Sequence, residues 1–112
     1  MRSTPFVALA AMLFMAACTS PAPKCADKAT INLVLQIARE ELVRKFGQAV
    51  ADQIELRLDA IRTTASDDKT GAQQCAAQLV GKGAASEGKS DITYKSELTD
   101  KDRRQYVTVW GL

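Results

Sequence analysis

The side chains best able to do chemistry in this 112-residue chain are three cysteines, Cys18, Cys25 and Cys75. A thiol can form a disulfide, bind a metal, attack a substrate or carry a covalent modification. The chain has no histidine, so a Cys–His pair and the usual general base are both missing. Structural zinc needs four ligands, and no CxxC pair is present, so we expect neither a metal nor a redox centre.

The residues before Cys18 have the organisation of a secretory leader. Arg2 is followed by an apolar run over residues 6–17, which is too short to cross a bilayer as a helix. Two small residues, Ala16 and Ala17, come directly before the cysteine. This stretch resembles the signal peptide and lipobox of bacterial lipoproteins, although Met15 stands where that family usually has leucine.

The resemblance implies both an anchor and an address. Residues 1–17 would be removed, and Cys18 would become the lipidated first residue of the mature protein, held in a membrane by its acyl chains. Thr19, and not aspartate, follows the cysteine. In this respect the chain is similar to lipoproteins of the outer membrane, so the resemblance implies a location there, facing the periplasm. The alternative is ordinary signal-peptidase cleavage and a secreted protein without lipid.

Composition limits what the mature chain can be. Residues 18–112 number 95, enough for one small domain and too few for two. Their fourteen Lys and Arg side chains are nearly balanced by thirteen Asp and Glu. The basic cluster Lys101, Arg103 and Arg104 alternates with acidic residues, so we expect no nucleic-acid partner.

Cys25 and Cys75 form an even pair once Cys18 carries lipid. In the oxidising envelope we expect them to form a disulfide closing a loop of about fifty residues, which stabilises the domain by roughly 4 kcal/mol. Residues 18–24, with two prolines, are predicted to be an extended tether from the lipidated cysteine to a domain over residues 25–112.

The first element predicted in the domain is a helix. Asp27 or Thr30 is expected to cap it, because either side-chain oxygen can accept a first-turn N–H. Apolar residues then follow at helical spacing. The core stripe predicted from this spacing is Ile31, Leu35, Ala38, Leu42 and Phe46. An amphipathic helix lying on the membrane is the alternative.

The rest of the chain predicts strands. Residues 54–64 fit either a strand or a helix, and their β-branched end followed by turn-forming residues favours a strand and hairpin. Residues 74–79, 92–98 and 104–110 alternate in polarity, and residues 81–89 are predicted to be a loop. The predicted fold is α+β, with one N-terminal helix packed on an antiparallel meander of three or four strands. In outline it is similar to cystatin-like folds, a likeness of shape that implies no function.

Nothing in the chain predicts catalysis. Serine-hydrolase motifs and a glycine-rich phosphate loop are missing. Carboxylate pairs such as Asp67–Asp68 are predicted to lie in solvated turns, and residues 67–71 lack the ligand spacing of an EF-hand calcium loop. We therefore expect a protein that is not an enzyme and needs no cofactor.

The last strand supplies one candidate binding surface. Tyr106, Thr108 and Trp110 share one face, whereas Val107 and Val109 share the other. If the valines join the core, the aromatic pair lies on the open face near Lys95, as interface anchors often do. The alternative is that Trp110 belongs to the core.

The sequence therefore predicts a small lipid-anchored envelope protein that binds another protein, as an inhibitor, an immunity or exclusion factor, or an accessory subunit. The alternative function is a structural or small-ligand-binding lipoprotein, with an apolar pocket between helix and sheet.

Overall fold

The computed structural model describes residues 21–112 and shows one helical layer on one antiparallel sheet. The strands lie in the order β1-β2-β3-β4, each paired with its sequence neighbour. The α+β class, the helix-on-meander arrangement and the disulfide are thus confirmed. The elements are helices α1 (Lys28–Phe46) and α2 (Gln48–Ala51) and strands β1 (Glu55–Ser66), β2 (Gln73–Lys82), β3 (Glu87–Leu98) and β4 (Gln105–Trp110).

Helix α1 does not begin at the N-terminus of the described residues, because residues 21–27 precede it. Asp27 occupies the N-cap position, but its carboxylate accepts the Lys24 N–H at 2.9 Å and no first-turn amide. Thr30 is fully buried, and its hydroxyl accepts the Gln105 side-chain amide at 2.7 Å. The predicted side-chain cap is therefore wrong, since both oxygens bond elsewhere.

The buried stripe of α1 is narrower than its apolar pattern. The buried positions are Thr30, Val34 and Ala38, one side chain per turn. Small and medium side chains there let the helix lie close to the sheet. Phe46, predicted to end the core stripe, is 60% exposed because the chain leaves the helix at Gly47, where φ is +91°. Contact with the sheet thus accounts for the buried part of the apolar face.

The connection from α1 to the sheet is held by Arg39. Its guanidinium donates to the carbonyl oxygens of Ala51 and Ile54, at 2.8 Å each. The first oxygen ends α2, a short helix that the sequence did not predict, and the second lies just before β1. One side chain thus fixes where the sheet begins relative to α1.

The sheet shows which structure residues 54–64 adopt and tests the loop predicted over residues 81–89. The segment 54–64 is strand from Glu55 onward, with β1 running to Ser66 through two bulges, one of them near Ala60, where φ is +53°. The predicted loop over 81–89 is wrong: β2 continues to Lys82 and β3 starts at Glu87. Backbone pairing needs no side chain, so Gly81 opposite Gly88 continues the ladder.

The core lies between α1 and the middle of the sheet. The disulfide predicted between Cys25 and Cys75 is present, with the two Cα atoms 5.7 Å apart. Tyr94 is the largest fully buried side chain, and its hydroxyl donates to the Cys25 carbonyl at 2.9 Å. The buried core cluster comprises Cys25, Val34, Cys75, Ala77, Ile92 and Tyr94.

The segment before the helix packs on the domain from its first described residues. Ala22 is 1% exposed, and its N–H donates to the Gly71 carbonyl at 3.3 Å. Gly71 has φ of +77°, and a Cβ built on it would lie 2.6 Å from the Pro21 Cα. Only glycine fits this approach, so residues 21 and 22 lie against the β1–β2 hairpin. No helix among residues 21–112 has the length and hydropathy to cross a membrane.

Candidate functional site: the open face of the sheet

Strand β4 divides its side chains between the two faces of the sheet. Val107 and Val109 pack against the core cluster beneath α1. Tyr106 and Trp110 point the other way and are 57% and 53% exposed. We call this side, opposite α1, the open face. The informative feature is that two aromatic rings lie exposed on the same face of one strand, because an exposed apolar patch is more informative than a single exposed ring.

The neighbouring strand places polar groups beside these rings. In the β3–β4 ladder, Thr93 is opposite Trp110, Lys95 opposite Thr108 and Glu97 opposite Tyr106. Lys95 Nζ lies 3.6 Å from Glu97 Oε1. The three site residues suggested by the sequence, Tyr106, Trp110 and Lys95, therefore share the open face. β4 is also an edge strand, so its outer backbone groups are available for pairing with another chain.

Trp110 stands between two shallow hollows of the open face. One has a volume of about 340 Å³ and includes Lys95 and Gln74 in its lining. The other, of about 380 Å³, includes Arg62 and Asp91. The Trp110 ring is thus flanked by two concave surfaces that carry charged side chains. A complementary protein surface can enter both hollows and cover the ring between them. The sequence did not single out Arg62 or Asp91, since residues this far apart are brought together only by the strand register.

The far half of the open face is occupied by ion pairs within the domain. Arg57 Nε lies 3.2 Å from Asp59 Oδ1, and its Nη2 lies 3.6 Å from Glu87 Oε1. The hydrogen bond to Asp59, reinforced by Glu87, raises the pKa of Arg57. Charged groups that are already paired within the domain add little binding free energy to a contact with a partner. The binding potential of the open face is therefore concentrated around Trp110.

A cavity of about 480 Å³ opens between the β1–β2 hairpin and the β3–β4 turn. Its charged lining is balanced and consists of Asp67, Lys69, Lys95, Glu97, Asp100 and Arg103. Asp67 accepts the Thr70 and Lys69 N–H groups at 3.1 and 2.8 Å, and these bonds lower the pKa of its carboxyl. The carboxylate thus closes its own turn, and the described residues contain no cluster of ligands able to hold a metal ion.

Comparison of the chain with family models, curated proteins and solved structures found no match. The candidate site therefore depends on geometry alone. Cys18, the predicted lipidation site, lies outside the described residues.

A further concave surface lies at the opposite end of the sheet, where the alternative function suggested by the sequence places an apolar pocket between helix and sheet. It has a volume of about 370 Å³ and lies between the C-terminal half of α1 and the β2–β3 hairpin. Its apolar lining consists of Leu42, Ile54, Leu56 and Leu79 with Gly81 and Gly88. We call it the corner groove. The two glycines could have indicated it, but their hairpin was interpreted as a loop.

Proposed function

We propose that this protein is a membrane-anchored bacterial envelope lipoprotein that acts as a non-catalytic protein-binding module. An inhibitor, an immunity or exclusion factor, and an accessory subunit all fit this description. The observation that carries the proposal is the exposure of Tyr106 and Trp110 together on the open face. The partner is a protein of the envelope, and the chemistry of the site needs no cofactor or nucleic acid.

The energetic argument concerns what a partner would gain. Tyr and Trp side chains each bury about 150–250 Å² when fully covered, and roughly half of each ring is still exposed. At about 25 cal/mol per Å², covering both exposed halves would contribute on the order of 5 kcal/mol before ordering costs. Lys95 and Glu97 at the same place give the contact its direction and specificity.

The anchor and the site are compatible in space. If Cys18 carries the lipid, four residue steps separate it from Ala22, which is fixed on the β1–β2 hairpin. A fully extended chain covers about 14 Å over that interval. The hairpin end of the sheet would then stay close to the bilayer, and β4 would rise away from it. Partners of the open face would be met at the membrane surface.

The anchor is tested by the intact mass of the protein extracted from membranes. We expect the mass of residues 18–112 plus acyl chains, with no thiol that reacts with iodoacetamide before reduction. Cys18→Ser is expected to abolish the acyl mass and the membrane association. A wild-type mass without lipid would contradict the anchor, whatever the state of Cys25 and Cys75.

The binding face is tested with Trp110→Ala. We expect this variant to unfold cooperatively and to lose no more than about 1 kcal/mol of stability, because half of the ring is already in water. Partner affinity should fall about thirtyfold or more, the loss typical of a central aromatic anchor. The measurements are urea unfolding and partner binding on the same preparation.

Val109→Ala is the matched control, since Val109 neighbours Trp110 in β4 but faces the core. It should lose more stability than Trp110→Ala and keep partner affinity while folded. Loss of cooperative unfolding in Trp110→Ala would instead place the ring among the groups that hold the fold together.

The partner is found by installing a photoreactive amino acid at position 108, between the two aromatic rings. Irradiation of intact cells should give one adduct of defined mass, which disappears when Trp110→Ala is added. The same photoreactive residue at Gln36, on the exposed side of α1, is the control. Identical adducts from both positions would show that the open face has no specific partner.

A further inference from the structure

The two edges of the sheet are built differently, and the first of them is protected. Edge strand β1 is interrupted by two bulges and carries the charged side chains of Arg57 and Asp59. At the first bulge, Arg62 Nη1 donates to the Ala60 carbonyl at 2.8 Å, so this carbonyl is already occupied. Bulges and charged side chains are the usual means by which proteins keep other strands from pairing with an edge.

Strand β4, the opposite edge, has none of these features. Its pairing with β3 runs without a register shift from Gln105 to Trp110. The strand contains no charged residue and no proline. A regular, uncharged edge readily pairs with another extended chain, and proteins that do not use such an edge usually block it. The contrast with β1 therefore indicates that β4 is a site of strand pairing.

The β3–β4 turn determines which backbone groups of β4 point outward. The Thr99 N–H donates to the Arg104 carbonyl at 2.8 Å, so Arg104 directs its backbone towards β3. Residues of an antiparallel strand direct their N–H and C=O groups alternately towards the paired strand and away from it. Because the register continues unbroken through β4, this alternation fixes the direction of each residue. The residues whose backbone groups point outward are Gln105, Val107 and Val109.

The outward side of β4 is free and incompletely covered. These outward backbone groups have no hydrogen-bond partner within residues 21–112. Val107 and Val109 face the core but are only partly buried, whereas Tyr94, opposite Val109 in β3, is 1% exposed. A further strand beside β4 would satisfy the backbone groups and cover the two valines at the same time.

The pattern of free groups identifies what can bind them. Alternating N–H donors and C=O acceptors at strand spacing are matched by the backbone of another extended peptide, which supplies the same groups in return. We propose that the partner protein adds an extended segment of its own chain to β4, as a fifth strand of the sheet. This inference rests on the protein-binding function proposed above and states how the partner is bound.

The side chains of β4 define the chemistry of the added segment. Every second residue of the segment lies on the open face beside Tyr106 and Trp110, where aromatic and β-branched side chains pair well with the rings. The residues between them lie beside Val107 and Val109 and extend the core. The segment is therefore about five residues long, apolar or β-branched on both faces, and without charge or proline.

A second copy of this chain does not fit β4 as well as a different protein does. Two β4 strands related by a two-fold axis pair antiparallel, which places the two β1–β2 hairpins at opposite ends of the joined sheet. The N-terminal segment is fixed on that hairpin through Ala22. With the anchor proposed above, two lipid anchors would leave from opposite ends, and both could not enter one bilayer from which the strands rise.

The first test uses the full chain in intact cells and reads the course of the partner segment. A photoreactive derivative of phenylalanine is placed in turn at positions 106, 108 and 110, and the linked partner residues are located by mass spectrometry. An added strand runs alongside β4, so the links should advance in order along one continuous segment, by about two residues for each step. Links scattered over separate segments would overturn the proposal.

The second test removes one outward donor. Val107→Pro replaces the N–H with the proline ring, and proline is tolerated in an edge strand where the N–H faces away from the sheet. We expect cooperative unfolding in urea and an adduct at position 108 reduced about tenfold or more. Val107→Ala is the matched control, because it shortens the side chain and keeps the N–H. Its adduct should remain within about twofold of the wild type.

The outcomes separate strand addition from protein binding in general. Equal adducts from Val107→Pro and the wild type would overturn strand addition but keep the open face as a binding surface. Equal loss in Val107→Ala would assign binding to the side chain and overturn it as well. An adduct with the mass of a second copy would overturn the choice of occupant. If the wild type gives no adduct, the proposed function and this inference both fail. Should Val107→Pro fail to fold, the order of the three links still decides.

Discussion

Replacing Cys25 and Cys75 together with alanine should lower the free energy of unfolding by about 4 kcal/mol. The bridge joins positions 50 residues apart, so its loss frees a long loop in the unfolded chain. Both cysteines are also at most 2% exposed and belong to the core cluster. A domain of this size has a total stability of only about 5–15 kcal/mol, so the change removes a large share of it.

The measurement is urea unfolding of the wild type, the double alanine variant and the reduced wild type. We expect the last two to unfold at similar, much lower urea concentrations, because both lack the covalent link. A loss of less than about 1 kcal/mol in the double variant would contradict the prediction and would mean that the unfolded chain is already compact.

The position of the bridge also bears on the proposed anchoring. Cys25 lies between the segment docked on Gly71 and the start of α1, and Cys75 lies near the start of β2. A force applied at a lipidated Cys18 would reach the bridge before it reached the helix. The disulfide would thus hold the domain on its anchor even when the N-terminal segment detaches from the hairpin.

Strands β3 and β4 could be predicted from sequence because each has one covered and one open face. In β4 and in the second half of β3, alternating polarity therefore appears directly in the residues, as in Val107 and Val109 against Tyr106 and Trp110. The pairing of Cys25 with Cys75 followed from the predicted oxidising compartment and from the even number of cysteines left after Cys18. The strand faces depend on local periodicity, and the disulfide pairing depends on the number of cysteines, so neither prediction needs the three-dimensional arrangement of the chain.

The errors have a common cause, since each concerns a contact or a chain direction that composition and helical periodicity do not show. Thr30 looked like a cap but bonds to Gln105, which follows it by 75 residues. Phe46 fitted the helical stripe, yet its side chain is exposed because the chain leaves the helix at Gly47. Gly81 and Gly88 looked like loop residues, because their composition does not show that they pair with each other.

For a similar reason, the sequence did not decide whether Trp110 lies on the core face or on the open face of the sheet. Alternation shows that the valines and aromatics of β4 lie on opposite faces, but not which face α1 covers. The structure decides this through the residues by which α1 meets the sheet, Thr30, Val34 and Ala38. Such small side chains keep the two layers close, so valine fits between them more readily than tryptophan.

Tyr94 gives the second large expected effect. Tyr94→Ala should cost about 3–5 kcal/mol, because it removes the largest fully buried side chain and leaves a cavity in the core. Tyr94→Phe should cost about 1–3 kcal/mol, since the Cys25 carbonyl loses the donor that the hydroxyl supplies at 2.9 Å. Tyr106→Phe is the control and should have little effect, because that ring is 57% exposed.

Tyr94 should also make stability depend on pH in the alkaline range. Burial raises the pKa of its hydroxyl above the ordinary value of 10.0. Above that pH the unfolded chain loses the proton while the folded chain keeps it, so stability falls as pH rises towards the folded-state pKa. Urea unfolding of the wild type between about pH 9 and 11 should show this fall, and Tyr94→Phe should show less of it. An equal fall in the free energy of unfolding of both proteins would assign the alkaline sensitivity to other groups. Tyr94 would then stabilise the fold by packing alone, with no contribution from the titration of its hydroxyl.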